Sequence, residues 1–114
     1  MSIERLEQNL VYVNEQLELV ALVEKLQRNP TFKKVIVQGY FKDEAVRQVS
    51  LLSDPAMQDP DRQLLITNAM RGIGELQSWL DSFRMREEQL KKRKYDIEQE
   101  LEYRANNPTE DDSE

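Results

Sequence analysis

A chain of 114 residues with 33% charged and 39% hydrophobic side chains has room for one domain, and a formal net charge of −6 leaves no basic surplus for gripping a phosphate backbone. Cysteine and histidine are both absent, which excludes disulfides, thiolate metal sites and cysteine nucleophiles and removes the usual proton carrier near neutral pH. Three Gly and four Pro in a chain rich in Glu, Gln, Leu, Lys and Arg is the composition of long helices, and the acidic balance suits a basic or mixed partner surface.

The opening Met-Ser-Ile-Glu-Arg-Leu-Glu carries acids in its first turn, so it does not read as a signal peptide. Ser2 is a good N-cap, and a helix is expected over 2–28. Within it Ile3, Leu6, Leu10, Val13, Leu17 and Val20 alternate spacings of three and four, which keeps one narrow apolar seam suited to another helix. Leu19, Leu22, Val23 and Leu26 widen the apolar face toward the end. Asn29-Pro30 then stops this helix and caps the next.

Short helices are expected at about 31–39 and 43–53, with an end or bend near Gly39. The β-branched run Val35-Ile36-Val37 leaves a short strand as the alternative, but no second strand with a turn signal follows. Asp54-Pro55 ends the second short helix, and Asp59-Pro60-Asp61 is the clearest cap in the chain. A long helix over 60–104 continues the seam through Ile66, Ala69, Ile73, Leu76, Leu80, Phe83, Leu90, Ile97 and Leu101, with Glu87 and Lys94 in two of its slots. Gly72 and Gly74 read as points of close packing, with a hinge as the alternative. The segment 106–114 is an acidic tail expected to be disordered in isolation.

The predicted architecture is all-α. It is a long helical hairpin, or antiparallel coiled coil, with two short helices at the turn, formed by a single domain over 1–105. Trp79, Phe83, Phe32, Tyr40, Phe41, Leu26 and Leu65 would supply much of the core of that knob. A seam of this kind is thin, so homo-oligomerisation or docking on a larger partner is expected.

Little in the chain suggests catalysis. There is no Gly-rich phosphate loop or other cofactor pattern, and the carboxylates sit on helix faces that water reaches. Asp54, Asp59 and Asp61 could be grouped as an oxygen-only metal site, but capping explains the acids at 59 and 61 and no calcium-loop spacing is present. The reading is therefore non-enzymatic: no catalytic residue, no cofactor and no metal. Lys91-Lys92-Arg93-Lys94, with Arg84 and Arg86 upstream, is either a basic patch or a solvated coiled-coil face. The second reading is supported by Glu87, Glu88 and Glu98, each four residues from a lysine. Phe32, Lys33, Tyr40, Phe41 and Arg47 are the candidate partner-binding residues if this face is exposed, since aromatic anchors dominate interfaces; the preferred alternative is that the three aromatics are buried as the core of the knob.

The block Asn29-Pro-x-Phe32-Lys-Lys-Val35-Ile36-x-x-Gly39-Tyr40-Phe41-Lys-x-Glu44-Ala45-x-Arg47, continuing to Asp54-Pro55-Ala56-Met57-Gln58, resembles small helical proteins of tailed bacteriophages. The later Ile73-Gly74 extends the likeness to about residues 26–85. The resemblance implies a phage protein of the host cytoplasm or the virion, often encoded near virion genes, and carries over no catalytic residue. The expected function is protein–protein contact in virion assembly or structure, whether scaffold-like, head–tail joining or as a minor virion component. The alternatives are an anti-host factor that binds and inhibits a host protein, and a helical chaperone. No apolar run reaches the length of a membrane span, and the acidic balance argues against nucleic acid as the partner, leaving a DNA-packaging role to the basic run alone.

Overall fold

The structure, a computed structural model, describes residues 1–108, and every regular element among them is helical. Helix α1 spans Ile3–Arg28 and α2 spans Pro30–Phe32. A π-helical segment at Lys33–Glu44 leads into α3 at Ala45–Leu52. A 3-10 turn at Pro55–Met57 precedes α4 at Pro60–Asp81 and α5 at Phe83–Asn106. The fold is the all-α helical hairpin that the 3.5-residue repeat predicts. By packing, the chain falls into two compact units. One joins Met1–Val23 to the described residues from Phe83 onward, and the other is Glu24–Ser82.

In the first unit α1 and α5 run antiparallel, with Tyr12 beside Arg93 and the Arg104 guanidinium donating to the Met1 carbonyl. Ser2 caps α1 as expected, its Oγ accepting the Arg5 N–H at 3.1 Å. Leu6, Val13 and Ile97 form the buried centre of the unit, and Leu10, Leu17, Leu90 and Leu101 pack against it. All seven belong to the predicted seam, and Val13 at 0% exposure is its most enclosed member. Glu87 and Lys94, the charged slots, are half-buried, and the Glu87 carboxylate lies 3.4 Å from the Lys91 ammonium. Their alkyl stems can cover apolar surface while the charged ends reach water.

The second unit starts from Asn29, whose Oδ1 accepts the N–H groups of Thr31 (2.8 Å) and Phe32 (3.2 Å). The break expected between 31–39 and 43–53 does not occur, because the backbone stays helical through Gly39 and no glycine takes a positive φ. The turns widen instead. Bonds from i to i+5 bring residues four to five apart onto one face, and half-buried positions recur on that spacing at Phe32, Ile36, Tyr40–Phe41 and Ala45. On the outer side the same geometry lets Gln38 Nε2 donate to Asp43 Oδ1, five residues on, at 3.1 Å. Val35-Ile36-Val37 is part of this helix and not a strand.

The α3–α4 turn is closed by side chains bonding to backbone. Asp54 Oδ1 accepts the Ala56 N–H at 2.9 Å, and Asp59 Oδ2 accepts the Arg62 N–H at 3.2 Å. Gln58 donates to the carbonyls of Leu52 (2.9 Å) and Asp54 (2.7 Å), and Gln63 to those of Met57 (2.7 Å) and Leu52 (3.3 Å). Arg62 Nη1 donates to the Ala56 carbonyl at 2.8 Å. Helix-end carbonyls that lack an intrahelical partner are thereby satisfied.

The single helix expected over 60–104 is interrupted at Ser82. Its hydroxyl donates to the Trp79 carbonyl at 2.6 Å, while its N–H is shared between Ser78 (3.0 Å) and Trp79 (3.2 Å). A hydroxyl competing for a backbone acceptor in this way loosens the regular ladder. Ile66, Ile73 and Leu80 are the buried residues of α4, and Phe83 is buried in the first unit. Leu26, Leu65 and Trp79, expected in the core of the knob, are exposed, and Leu76 is at the edge of exposure. Close packing does not account for the glycines either. A Cβ on Gly72 would sit 3.9 Å from the Tyr40 hydroxyl, and one on Gly74 would meet nothing within 4 Å. The expected disorder of the tail falls, from residue 109 on, outside the described residues.

Two substitutions check this packing. Val13→Ala should lose about 2 kcal/mol in urea unfolding, the transfer and cavity terms for two missing carbons, while Tyr95→Ala on an exposed face should stay within about 0.5 kcal/mol. Asp59→Ala should cost about 1 kcal/mol, and Asp59→Asn should keep most of that stability because its amide oxygen can still accept.

Candidate functional site

The candidate partner-binding residues all lie on the helical run from α2 to α3. Phe32 ends α2 half-buried, and Lys33 beside it is exposed. Tyr40 and Phe41 are half-buried in the π-helical segment, with ring centroids 6.0 Å apart and planes tilted by 46°. The Tyr40 hydroxyl reaches toward the Gly72 backbone of α4. Both rings are partly covered and keep one side toward solvent.

Arg47 is held by Glu44. Its Nη2 lies 2.6 Å from Glu44 Oε1, and its Nε is 3.2 Å and 3.0 Å from Oε1 and Oε2. Gln48, the one buried polar residue among those described, donates from Nε2 to the same Oε1 at 2.9 Å. These spacings of three and four residues are helix neighbours. The bonds from Arg47 first, and then from Gln48, lower the Glu44 carboxyl from an ordinary 4.5 to about 2. The guanidinium is correspondingly held more firmly protonated by Glu44. Arg47, the exposed member, is thereby paired with a carboxylate of its own helix, and Gln48 is the residue that the sequence reading did not single out. The Glu-x-x-Arg-Gln spacing was the available signal.

The second unit also leaves large apolar side chains in water. Val46 and Val49 on α3 are exposed, as are Leu64 and Leu65 on α4, the last two at 60% and 69%. α3 and α4 are the pair of elements in this unit that pack together most extensively. The sequence reading missed these four residues because an apolar residue next to a helix seam looks like core.

The acids grouped as a metal site act as caps, at Asp54 and Asp59, and among the described residues no three His, Cys, Asp or Glu side chains are placed to hold an ion. In the basic run the Glu87–Lys91 pair forms, whereas among the described residues Glu88 and Lys92 do not pair, nor do Lys94 and Glu98. No described helix is long and apolar enough to cross a membrane. No family model, curated protein or solved structure matches the chain.

The Glu44 cluster yields a pH prediction. A depressed carboxyl adds stability that is complete above the unfolded value near 4.5 and disappears as pH falls toward about 2. An NMR titration should find the Glu44 midpoint near 2 in the native chain. In Arg47→Ala the midpoint should move up toward the ordinary carboxylate range, with the helix content unchanged.

Proposed function

We propose that the chain works by protein–protein contact, as a tailed-bacteriophage protein of virion assembly or structure that acts in the host cytoplasm and in the particle. The observation that carries the contact reading is that Val46, Val49, Leu64 and Leu65 are exposed on α3 and α4, in the unit that also presents Arg47 and in a chain that is one-third charged. Large exposed apolar side chains on packed elements are what a partner covers, and an Arg with a helix neighbour to pair with loses less freedom on binding. The phage attribution is supported by the resemblance of residues 29–58 to small helical proteins of tailed phages.

The proposed contact combines Arg47 with Phe32, Lys33 and the solvent side of Tyr40 and Phe41. The partner surface would be mixed, apolar at its centre with an acid opposite Arg47. No reacting group is required of this chain.

Mass spectrometry of purified particles and procapsids tests the reading. The native chain should be present in at least one, and a Val46→Asp/Leu65→Asp variant, still helical by circular dichroism, should be depleted by about tenfold or more. Absence of the native chain from both would remove the assembly reading. Host growth arrest on producing the chain alone would replace it with inhibition of a host protein.

A further inference from the structure

The cations of α5 are matched by acids less fully than their spacing suggests, and two of them open onto a groove. On one edge of the α1–α5 hairpin this groove, of about 330 Å³, is lined by Tyr12, Gln16, Arg86, Gln89, Leu90 and Arg93, with no acid in the lining. Neither arginine meets a carboxylate among the described residues. The Arg93 guanidinium lies 5.8 Å from the centre of the Tyr12 ring, and that of Arg86 4.8 Å from the Phe83 ring. Resting against a ring engages the face of a guanidinium and leaves its N–H edge to donate.

The heptad spacing sets these side chains in rows. Arg86 and Arg93 each stand three residues after a seam position, Phe83 and Leu90, so they flank the seam on one edge. They are seven residues apart, two turns or about 10 Å along the helix. Tyr12 and Leu19 are likewise seven apart on α1, and both are exposed. Because the helices are antiparallel with Tyr12 beside Arg93, Leu19 is level with Arg86, and Leu90 and Gln16 lie about midway. The groove therefore has a cation at each end and an apolar floor at its centre.

We infer that this groove docks an acidic amphipathic helix of another protein, one that carries two carboxylates seven residues apart with apolar residues between them. Such a helix repeats its acids at the interval of the two arginines, since residues i and i+7 share one stripe and the same rise of about 10 Å. Each carboxylate meets one guanidinium edge. The apolar residues three and four places after the first acid fall over Leu90, between Tyr12 and Leu19. A helix laid into a groove by its apolar face is a recurring mode of recognition, and here it adds a third helix to a hairpin whose seam is thin. The charge balance favours a peptide over a nucleic acid. Two arginines match two carboxylates, whereas a phosphate strand would run on past them along a chain of net charge −6. The inference uses only the first unit and stands independently of the contact proposed on the second.

The test is fluorescence anisotropy with the full chain and a labelled synthetic Ala-rich helix. The peptide carries two Glu seven residues apart, with Leu three and four places after the first. It should bind about tenfold or more tightly than its counterpart with both Glu changed to Gln, and the difference should shrink as salt is added. Arg86→Glu/Arg93→Glu should weaken binding of the Glu peptide by about tenfold or more and should instead take the peptide with Lys at both acidic places. Both arginines are exposed, so the helix content should not change. Equal binding of the Glu and Gln peptides overturns the inference, as does a double variant that holds the Glu peptide as tightly as the native chain. A labelled oligothymidylate that binds more tightly than the Glu peptide, and is lost in the same variant, replaces it with nucleic-acid binding. A native dimer in sedimentation equilibrium that dissociates in this variant replaces it with a second copy.

Discussion

The packing of Val13 between α1 and α5 is the interaction on which the first unit depends. A 3.5-residue repeat can bury only one narrow stripe per helix, and the stripe through Leu6, Val13 and Ile97 consumes all of it. Once that stripe is spent, every other apolar residue of α1 must find cover elsewhere or remain in water. Leu19 and Leu22 remain in water, one helix face away from the seam. Arg86 and Arg93 are left beside the seam on α5, because the seam fixes the rotation of both helices. The charged slots Glu87 and Lys94 are tolerated at half-burial, where their ends can still be hydrated.

The second unit solves a different problem. It must turn the chain between two helices while holding the β-branched run Val35-Ile36-Val37 in a helix, a conformation such residues disfavour through crowding against the preceding turn. Widening to i+5 bonding keeps the run helical and sets Phe32, Ile36, Phe41 and Ala45 on one side. Stability at the turn comes from amides and carboxylates rather than from a large core: Asp54, Gln58, Asp59 and Gln63 satisfy backbone groups directly. A unit built this way can leave Val46, Leu64 and Leu65 uncovered without losing its form.

What could be read from residues alone followed from how local the cause was. The seam, the Ser2 and Asp59 caps and the Asn29-Pro30 start each depend on neighbours within one or two turns, and they stand where the spacing puts them. The π-helical segment was not legible, since Phe32, Val35, Ile36 and Tyr40 fit an ordinary helical face about as well as a widened one. Ser82 gave no sign of interrupting the long helix, because serine is a common helix residue and only its bond to the Trp79 carbonyl sets it apart. Leu26, Leu65 and Trp79 misled for a more general reason: apolar character says that a side chain wants cover, and it does not say whether the same chain supplies it. The basic run misled by counting. Pairs at i+4 suggested that the charge was matched along the helix, yet Arg86 and Arg93 line a groove on the α1 side, where no acid among the described residues pairs with them.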